Sequence, residues 1–185
     1  MTTGALVGSW QIKVDLLLAV AFAPDGTRFA SALNGGKQIG IGELPGGRLL
    51  EVLANQTGPQ RWASALAFSP DGSMLASAIH LSSTLSPTDP TLGNAVEVWN
   101  VKTGALMHTL SLPDQEEMSN IIFSADGKLL AVASGKDIFI WQVETGALLH
   151  TLKGHTAIVA RDNGLSFSPD SKQLISVGFD QTIRL

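Results

Sequence analysis

One short phrase, repeated four times, constrains the fold of this chain more than any other feature. It runs phenylalanine, a small residue, proline or alanine, aspartate, and then glycine or serine. The copies occupy residues 22–26, 68–72, 123–127 and 167–171, so that successive aspartates lie 46, 55 and 44 residues apart. A spacing of this size is typical of proteins in which each repeat forms one small unit of structure. The chain of 185 residues is therefore predicted to hold four similar units.

The pattern around this phrase predicts strands. Before the first copy, Leu18, Val20 and Phe22 alternate with alanines, and a period of two is typical of a strand. Large side chains on one side and small ones on the other suit a strand that is buried on both faces. Three more strand-forming runs follow each copy, in the third unit at 129–133, 137–143 and 147–152. We therefore expect an all-β chain in which each unit is a sheet of four short antiparallel strands joined by tight turns.

Four further features stand out in these units: the Ser-Pro-Asp-Gly turn, the pair Gly154-His155, the run from Ser176 to Leu185, and a tryptophan at the end of the third strand at Trp99 and Trp141. Together they resemble the WD40 repeat. Neither tryptophan is followed by the aspartate of the Trp-Asp pair. WD40 repeats build β-propellers, in which each repeat is one four-stranded antiparallel blade around a central channel. The resemblance therefore implies a β-propeller with four blades per chain.

The same resemblance implies a structural polar network. In the family, a His before the first strand bonds a Ser or Thr of the second strand and an Asp of the following turn, and a Trp of the third strand completes the set. The matching residues are His155, Ser176 and Asp180 in the last unit, and Trp99 and Trp141 in units two and three. Because no unit holds all four residue types, we expect the blades to depend mainly on apolar packing.

The units divide residues 1–185, a single propeller domain, into five parts. These are an outer closing strand at 1–12, blade 1 at 13–55, blade 2 at 56–112 with an insertion at 80–94, blade 3 at 113–153, and an incomplete blade 4 at 154–185. The last blade is either closed by the N-terminal strand or shared with another chain, so that two chains would form an eight-blade ring. A third alternative is that the chain is a piece of a larger propeller.

The insertions point to one face of the propeller. In a blade, the loop between strands two and three and the loop to the next blade open on the same side, and the insertions at 80–94 and 160–163 fall in such loops. Loops on a rigid scaffold are where recognition usually resides, and an arginine beside a tryptophan is the composition of an interface hot spot. The candidate partner-binding residues are Arg61, Trp62, His80, Glu117, Arg161 and Asp162.

These features predict a non-catalytic scaffold that binds a protein or peptide. One alternative is a half-propeller whose partner is a second copy of itself, forming a homodimeric ring. A further alternative is a propeller enzyme with a site at the channel mouth, although the residues expected there are mixed in charge and type. For Trp62, a purely structural role beneath the 80–94 loop stays open.

Composition narrows the classes of partner and cofactor. Charged residues make up 15% of the chain and the net charge is −4, with no block of Lys or Arg, so we expect neither nucleic acid nor a membrane surface as a partner. The chain has no cysteine, and its four histidines are not spaced as a ligand set, so we expect no metal and no cofactor. No stretch has the basic flank and apolar core of a signal peptide, which favours a cytoplasmic location.

Overall fold

The computed structural model describes residues 9, 18–55, 61–81, 93–113, 116–160 and 164–185, except the side chains at positions 54, 55 and 81. The described residues form strands and no helix. In chain order the strands are β1 (Ala19–Phe22), β2 (Arg28–Leu33), β3 (Gln38–Glu43), β4 (Leu49–Asn55), β5 (Arg61–Phe68), β6 (Met74–Leu81), β7 (Ala95–Asn100), β8 (Leu106–Ser111), β9 (Met118–Phe123), β10 (Leu129–Ser134), β11 (Asp137–Gln142), β12 (Ala147–Leu152), β13 (Leu165–Phe167), β14 (Leu174–Val177) and β15 (Ile183–Arg184).

The strands form four antiparallel sheets in the order of the sequence. Strands β1–β4, β5–β8 and β9–β12 are the four-stranded blades 1, 2 and 3, and β13–β15 are the three-stranded blade 4. The prediction of an all-β fold built from antiparallel blades is confirmed. The predicted closing strand at 1–12 lies, apart from residue 9, outside the described residues, as does most of the 80–94 insertion.

The repeated phrase is a turn held by its own side chains. In blade 2, Ser69 Oγ lies 2.6 Å from Asp71 Oδ1 and accepts a hydrogen bond of 2.9 Å from the backbone N–H of Met74. Gly72 follows with φ of +69°, which a glycine adopts without strain. In blade 4 a serine stands at this position, and Ser171 has φ of 61°. The phrase thus fixes the hairpin between the first and second strands of a blade.

Neighbouring blades pack through two kinds of face. We call the face that a blade turns toward the preceding blade its front face, and the opposite one its back face. The back face of blade 2 carries small and β-branched residues, among them Ala76, Ala78 and Val98, whereas the front face of blade 3 carries large ones such as Leu130 and Trp141. The two faces form one buried cluster. Clusters of the same kind join blade 1 to blade 2 and blade 3 to blade 4.

The described blades form an open arc. The inner strands β1, β5, β9 and β13 contact one another in series, and within the described residues the propeller is not closed into a ring. The expectation that each first strand is buried on both faces is therefore wrong for β1. Val20 and Phe22 on the front face of blade 1 are 67% and 70% exposed, and none of the described blades packs against this face.

Candidate functional site

Trp62 is fixed at the start of the inner strand of blade 2. It pairs across β5 and β6 with His80, and the two rings stack with centroids 5.8 Å apart and planes inclined by 18°. The Trp62 side chain is half-buried, whereas His80 is only 5% exposed. A partner can therefore reach the indole but has little direct access to the imidazole. His80, which was predicted to bind a partner, therefore supports the Trp62 ring from below the surface.

A hairpin of blade 1 holds Trp62 from the other side. The carbonyl of Gly36 accepts a 2.8 Å hydrogen bond from the backbone N–H of Ala63. A Cβ atom at Gly36 would lie 2.5 Å from the carbonyl oxygen of Ala63 and 2.9 Å from Cβ of Trp62, so only glycine allows this approach. Trp62 consequently lies at the junction of two blades, with little freedom to move.

Arg61 lies beside Trp62 and forms an ion pair. Its Nη2 atom is 3.5 Å from Oε1 of Glu97, whose side chain is 8% exposed, while the Arg61 side chain is 23% exposed. A buried carboxylate needs such a counter-charge, since isolated burial of a charge is costly. Arg61 Nε meets no acceptor among the described residues. The guanidinium therefore balances a buried charge, while the Arg61 side chain stays partly exposed.

Glu117 lies at the corresponding edge of blade 3. Its carbonyl accepts a 3.1 Å hydrogen bond from the backbone N–H of Gly135, and its side chain is exposed. The preceding carbonyl, of Glu116, accepts hydrogen bonds from Asn94 Nδ2 at 2.8 Å and from Ser134 Oγ at 3.1 Å. These bonds join blade 2 to blade 3 at the edge that carries the 80–94 insertion. The other two predicted binding residues, Arg161 and Asp162, lie outside the described residues.

A cleft opens on the same edge, farther along the arc. It has a volume of about 410 Å³ and lies between the hairpin of blade 3 and the segment that leads into blade 4. Its lining combines both charges with apolar surface, and includes Glu116, Lys136, Asp137 and Ile158. The edge that carries Trp62 is thus a line of half-buried aromatic, charged and cleft-forming residues across three blades.

The polar network of blade 4 is a buried chain of hydrogen bonds. His155 Nε2 is 2.9 Å from Ser176 Oγ, and His155 Nδ1 is 3.0 Å from Asp180 Oδ2. Burial raises the pKa of Asp180, but the hydrogen bonds that it accepts from Thr156, Thr182 and His155 outweigh this and hold the pKa well below its usual range. These residues are the ones that the family resemblance placed together, and their burial gives them a structural role.

The two third-strand tryptophans are also structural. Trp99 Nε1 donates a 3.2 Å hydrogen bond to Ser77 Oγ, and Trp141 is buried with its ring 5.7 Å from that of Phe139. Sequence reasoning does not name Ser77, Gly36 or Asn94 as site residues, although each holds part of the site or its neighbours. Gly36 belongs to a Gly-Gly pair, and that pair was the one available signal.

Within the described ranges, no group of three or more His, Cys, Asp or Glu side chains is arranged to hold a metal ion. No helix in the same ranges is long and apolar enough to cross a membrane.

Comparison with known proteins identifies the repeats. The family described as WD domain, G-beta repeat, matches residues 50–85 and 146–185. These two segments of the chain match the WD40 repeat. The first matched segment includes Trp62 and His80, and the second includes the network of His155. WD40 domains are generally protein-interaction modules, and members of the family are generally non-catalytic scaffolds.

A solved structure has the same kind of fold. The structure of U3-55K aligns with 91% of this chain at a TM-score of 0.65, with 18% sequence identity. This chain spans 47% of the length of that one. At this identity the likeness concerns the fold alone. A search of curated proteins with the sequence found no match.

Proposed function

We propose that the chain is a non-catalytic WD40 scaffold that binds a protein or peptide at the edge carrying Trp62. The observation that carries this proposal is the partly exposed indole of Trp62, stacked on His80, on a strand whose backbone is bonded to Gly36. An aromatic ring that is rigid before binding loses little conformational entropy when a partner covers it. Such preorganised aromatic groups are typical of residues that dominate the affinity of an interface.

Charge around the indole supports a peptide-like partner. Arg61 precedes Trp62 on the same strand and its side chain is partly exposed, and Glu117 is exposed at the same edge of the next blade. An apolar anchor with a cation and an anion along the same edge suits an extended segment that carries an apolar side chain and flanking charges. The cleft beside Ile158 lies in the same direction along the edge.

A peptide selection followed by titration tests the proposal. Phage-displayed peptides are selected on the immobilised chain, and the enriched sequences are synthesised and titrated by fluorescence anisotropy. We expect Trp62→Ala to raise Kd by about 30-fold or more, as expected for a hot-spot residue. Arg61→Gln is expected to raise Kd less, because the Arg61 side chain also has an internal partner, Glu97. This effect should decrease with salt, because salt screens the charge of the guanidinium.

The matched control changes an exposed apolar residue elsewhere. Met107 lies on the outer strand β8, and Met107→Ala should leave Kd unchanged. Circular dichroism establishes that all variants keep the strand content of the parent. If the selected peptides bind Trp62→Ala and Arg61→Gln as tightly as the parent chain, the site lies elsewhere. If no sequence is enriched, the edge does not bind peptides.

A further inference from the structure

The cleft between blades 3 and 4 has two walls that are held in place by backbone hydrogen bonds. One wall is the hairpin that joins β10 to β11, and the other is the segment 156–158 that leads into blade 4. The carbonyl of Gly135 accepts a 2.9 Å hydrogen bond from the backbone N–H of Val159, which ties the two walls together. The backbone N–H of Thr156 donates a 2.9 Å hydrogen bond to Asp180 Oδ2, which ties the second wall to blade 4. The cleft is therefore preformed.

Two carboxylates line this cleft. A Cβ atom at Gly135 would lie 3.0 Å from Cβ and Cγ of Glu116, so the Glu116 side chain lies against this glycine. Asp137 has a side chain that is 17% exposed, and its Oδ2 atom is 4.0 Å from Nζ of Lys153, whose side chain is 75% exposed. An ion pair of this length to an exposed lysine contributes little. Asp137 is thus a largely buried carboxylate that a closer cation would stabilise.

The rest of the described lining is apolar or neutral, apart from Lys136. Ile158 is 42% exposed and lies in the second wall beside Ala157. The described lining residues carry two carboxylates and one ammonium group, so that the net charge of the cleft is negative. Its volume of about 410 Å³ lies near the lower end of the range for ligand sites, about 300–1,000 Å³. A cleft of this kind suits one long side chain with an apolar stem and a cationic end.

We propose that this cleft binds the side chain of a lysine or arginine from the partner segment. The methylene groups of such a side chain pack on Ile158, and its cationic end lies between Glu116 and Asp137, because long basic side chains bury their stems on apolar surface and keep the charge at a polar edge. The net charge of the chain, −4, attracts basic segments over a longer range. Because the basic residue belongs to the segment that covers Trp62, its binding rests on the proposed function.

A double-mutant cycle with selected peptides tests the cleft. Phage-displayed peptides are selected on the parent chain and, separately, on Trp62→Ala. Each Lys or Arg of the enriched sequences is then replaced by norleucine, which keeps an apolar stem and removes the charge. We expect one such replacement to raise Kd for the parent chain by about 10-fold. In Asp137→Asn the same replacement should have little effect, because the carboxylate that pairs with the cation is gone.

Two further variants separate the cleft from a general effect of charge. Glu116→Gln removes the second carboxylate and should also reduce the effect of norleucine, which provides the test if circular dichroism shows that Asp137→Asn does not fold. Glu144 is exposed in the turn after β11, at the opposite edge of blade 3. Glu144→Gln therefore removes the same charge away from the cleft and should leave the effect of norleucine unchanged.

The outcomes distinguish the cleft from the site at Trp62. Enriched peptides that need Trp62 but have no basic residue, or that lose no affinity with norleucine, would overturn the cleft and leave the proposed function intact. An effect of norleucine that is equal in the parent chain, Asp137→Asn and Glu116→Gln would also overturn the cleft. Peptides whose norleucine effect depends on Asp137, but which bind Trp62→Ala as tightly as the parent chain, would support the cleft and overturn the role of Trp62. The absence of any enriched peptide on either chain would overturn both.

Discussion

At the scale of single residues, the buried histidine of blade 4 is bonded through both ring nitrogens. His155 Nε2 is hydrogen-bonded to Ser176 and His155 Nδ1 to Asp180, and Ser176 is only 4% exposed. We expect Ser176→Ala to lower the free energy of unfolding by about 1–3 kcal/mol, because it leaves a ring nitrogen of His155 buried without its partner. Urea unfolding followed by circular dichroism measures the change.

A neighbouring serine supplies the control for this residue. Ser166 lies on the adjacent strand β13 and is exposed, so Ser166→Ala should change the free energy of unfolding by less than about 0.5 kcal/mol. Equal losses in the two variants would mean that the network of His155 adds nothing beyond the general effect of removing a hydroxyl group.

At the scale of elements, one hairpin of blade 1 positions the first strand of blade 2. Gly36 and Gly35 both have positive φ, but only Gly36 lacks room for a Cβ atom. Gly35→Ala should lower the free energy of unfolding by about 1–2 kcal/mol, which is the cost of a left-handed alanine. Gly36→Ala adds the collision with Ala63 and should be clearly more destabilising. Thermal unfolding of the two variants measures the difference.

The hairpin should also influence the indole that it holds. In Gly36→Ala the strand at Ala63 must shift, and the stack of Trp62 on His80 shifts with it. Near-ultraviolet circular dichroism should therefore change in Gly36→Ala and stay close to the parent spectrum in Gly35→Ala. Identical spectra and stabilities for the two variants would show that blade 1 does not position Trp62.

Among these elements, the strand positions can be predicted from the sequence, whereas the stacking of side chains across strands cannot. The strands of blade 3 were expected at 129–133, 137–143 and 147–152 and lie within one residue of those bounds, because alternation and Asp-Gly turns are local signals. The stack of Trp62 on His80 depends on the register of β5 and β6, which shifts between Ala63 and Ala65. A register shift of this kind has no local signal in the sequence, and the sequence therefore predicts His80 as a binding residue and not as a support for Trp62.

The contacts between blades cannot be predicted from the sequence either. The bond from Asn94 to the carbonyl of Glu116 joins residues of two blades, and its geometry depends on how the sheets pack. The exposure of Val20 and Phe22 likewise does not follow from the sequence of β1, which resembles that of the buried strands. Sequence pattern thus predicts a blade but not which of its faces another described blade covers.

At the scale of the whole molecule, every blade contains an aspartate whose ionised form is stabilised by the fold. Hydrogen bonds from nearby side-chain hydroxyl and backbone N–H groups lower the pKa of each turn aspartate from its ordinary value of 3.8, and for Asp71 the largest contribution comes from Ser69. Asp180 adds a further lowered pKa in blade 4. The residues concerned are Asp25, Asp71, Asp126, Asp170 and Asp180.

These shifts predict that acid destabilises all the blades together. A carboxyl group whose pKa is lower in the folded state stabilises the fold above its unfolded pKa, and this stabilisation is lost as the pH falls through the folded pKa. We therefore expect the free energy of unfolding, measured by urea titration, to fall as the pH is lowered from about 5 to about 2. Asp71→Asn removes one titrating group, so the difference between this variant and the parent should be largest above about pH 5 and should shrink below it. A difference that stays constant with pH would show that the charge of Asp71 does not contribute to the stability of its turn.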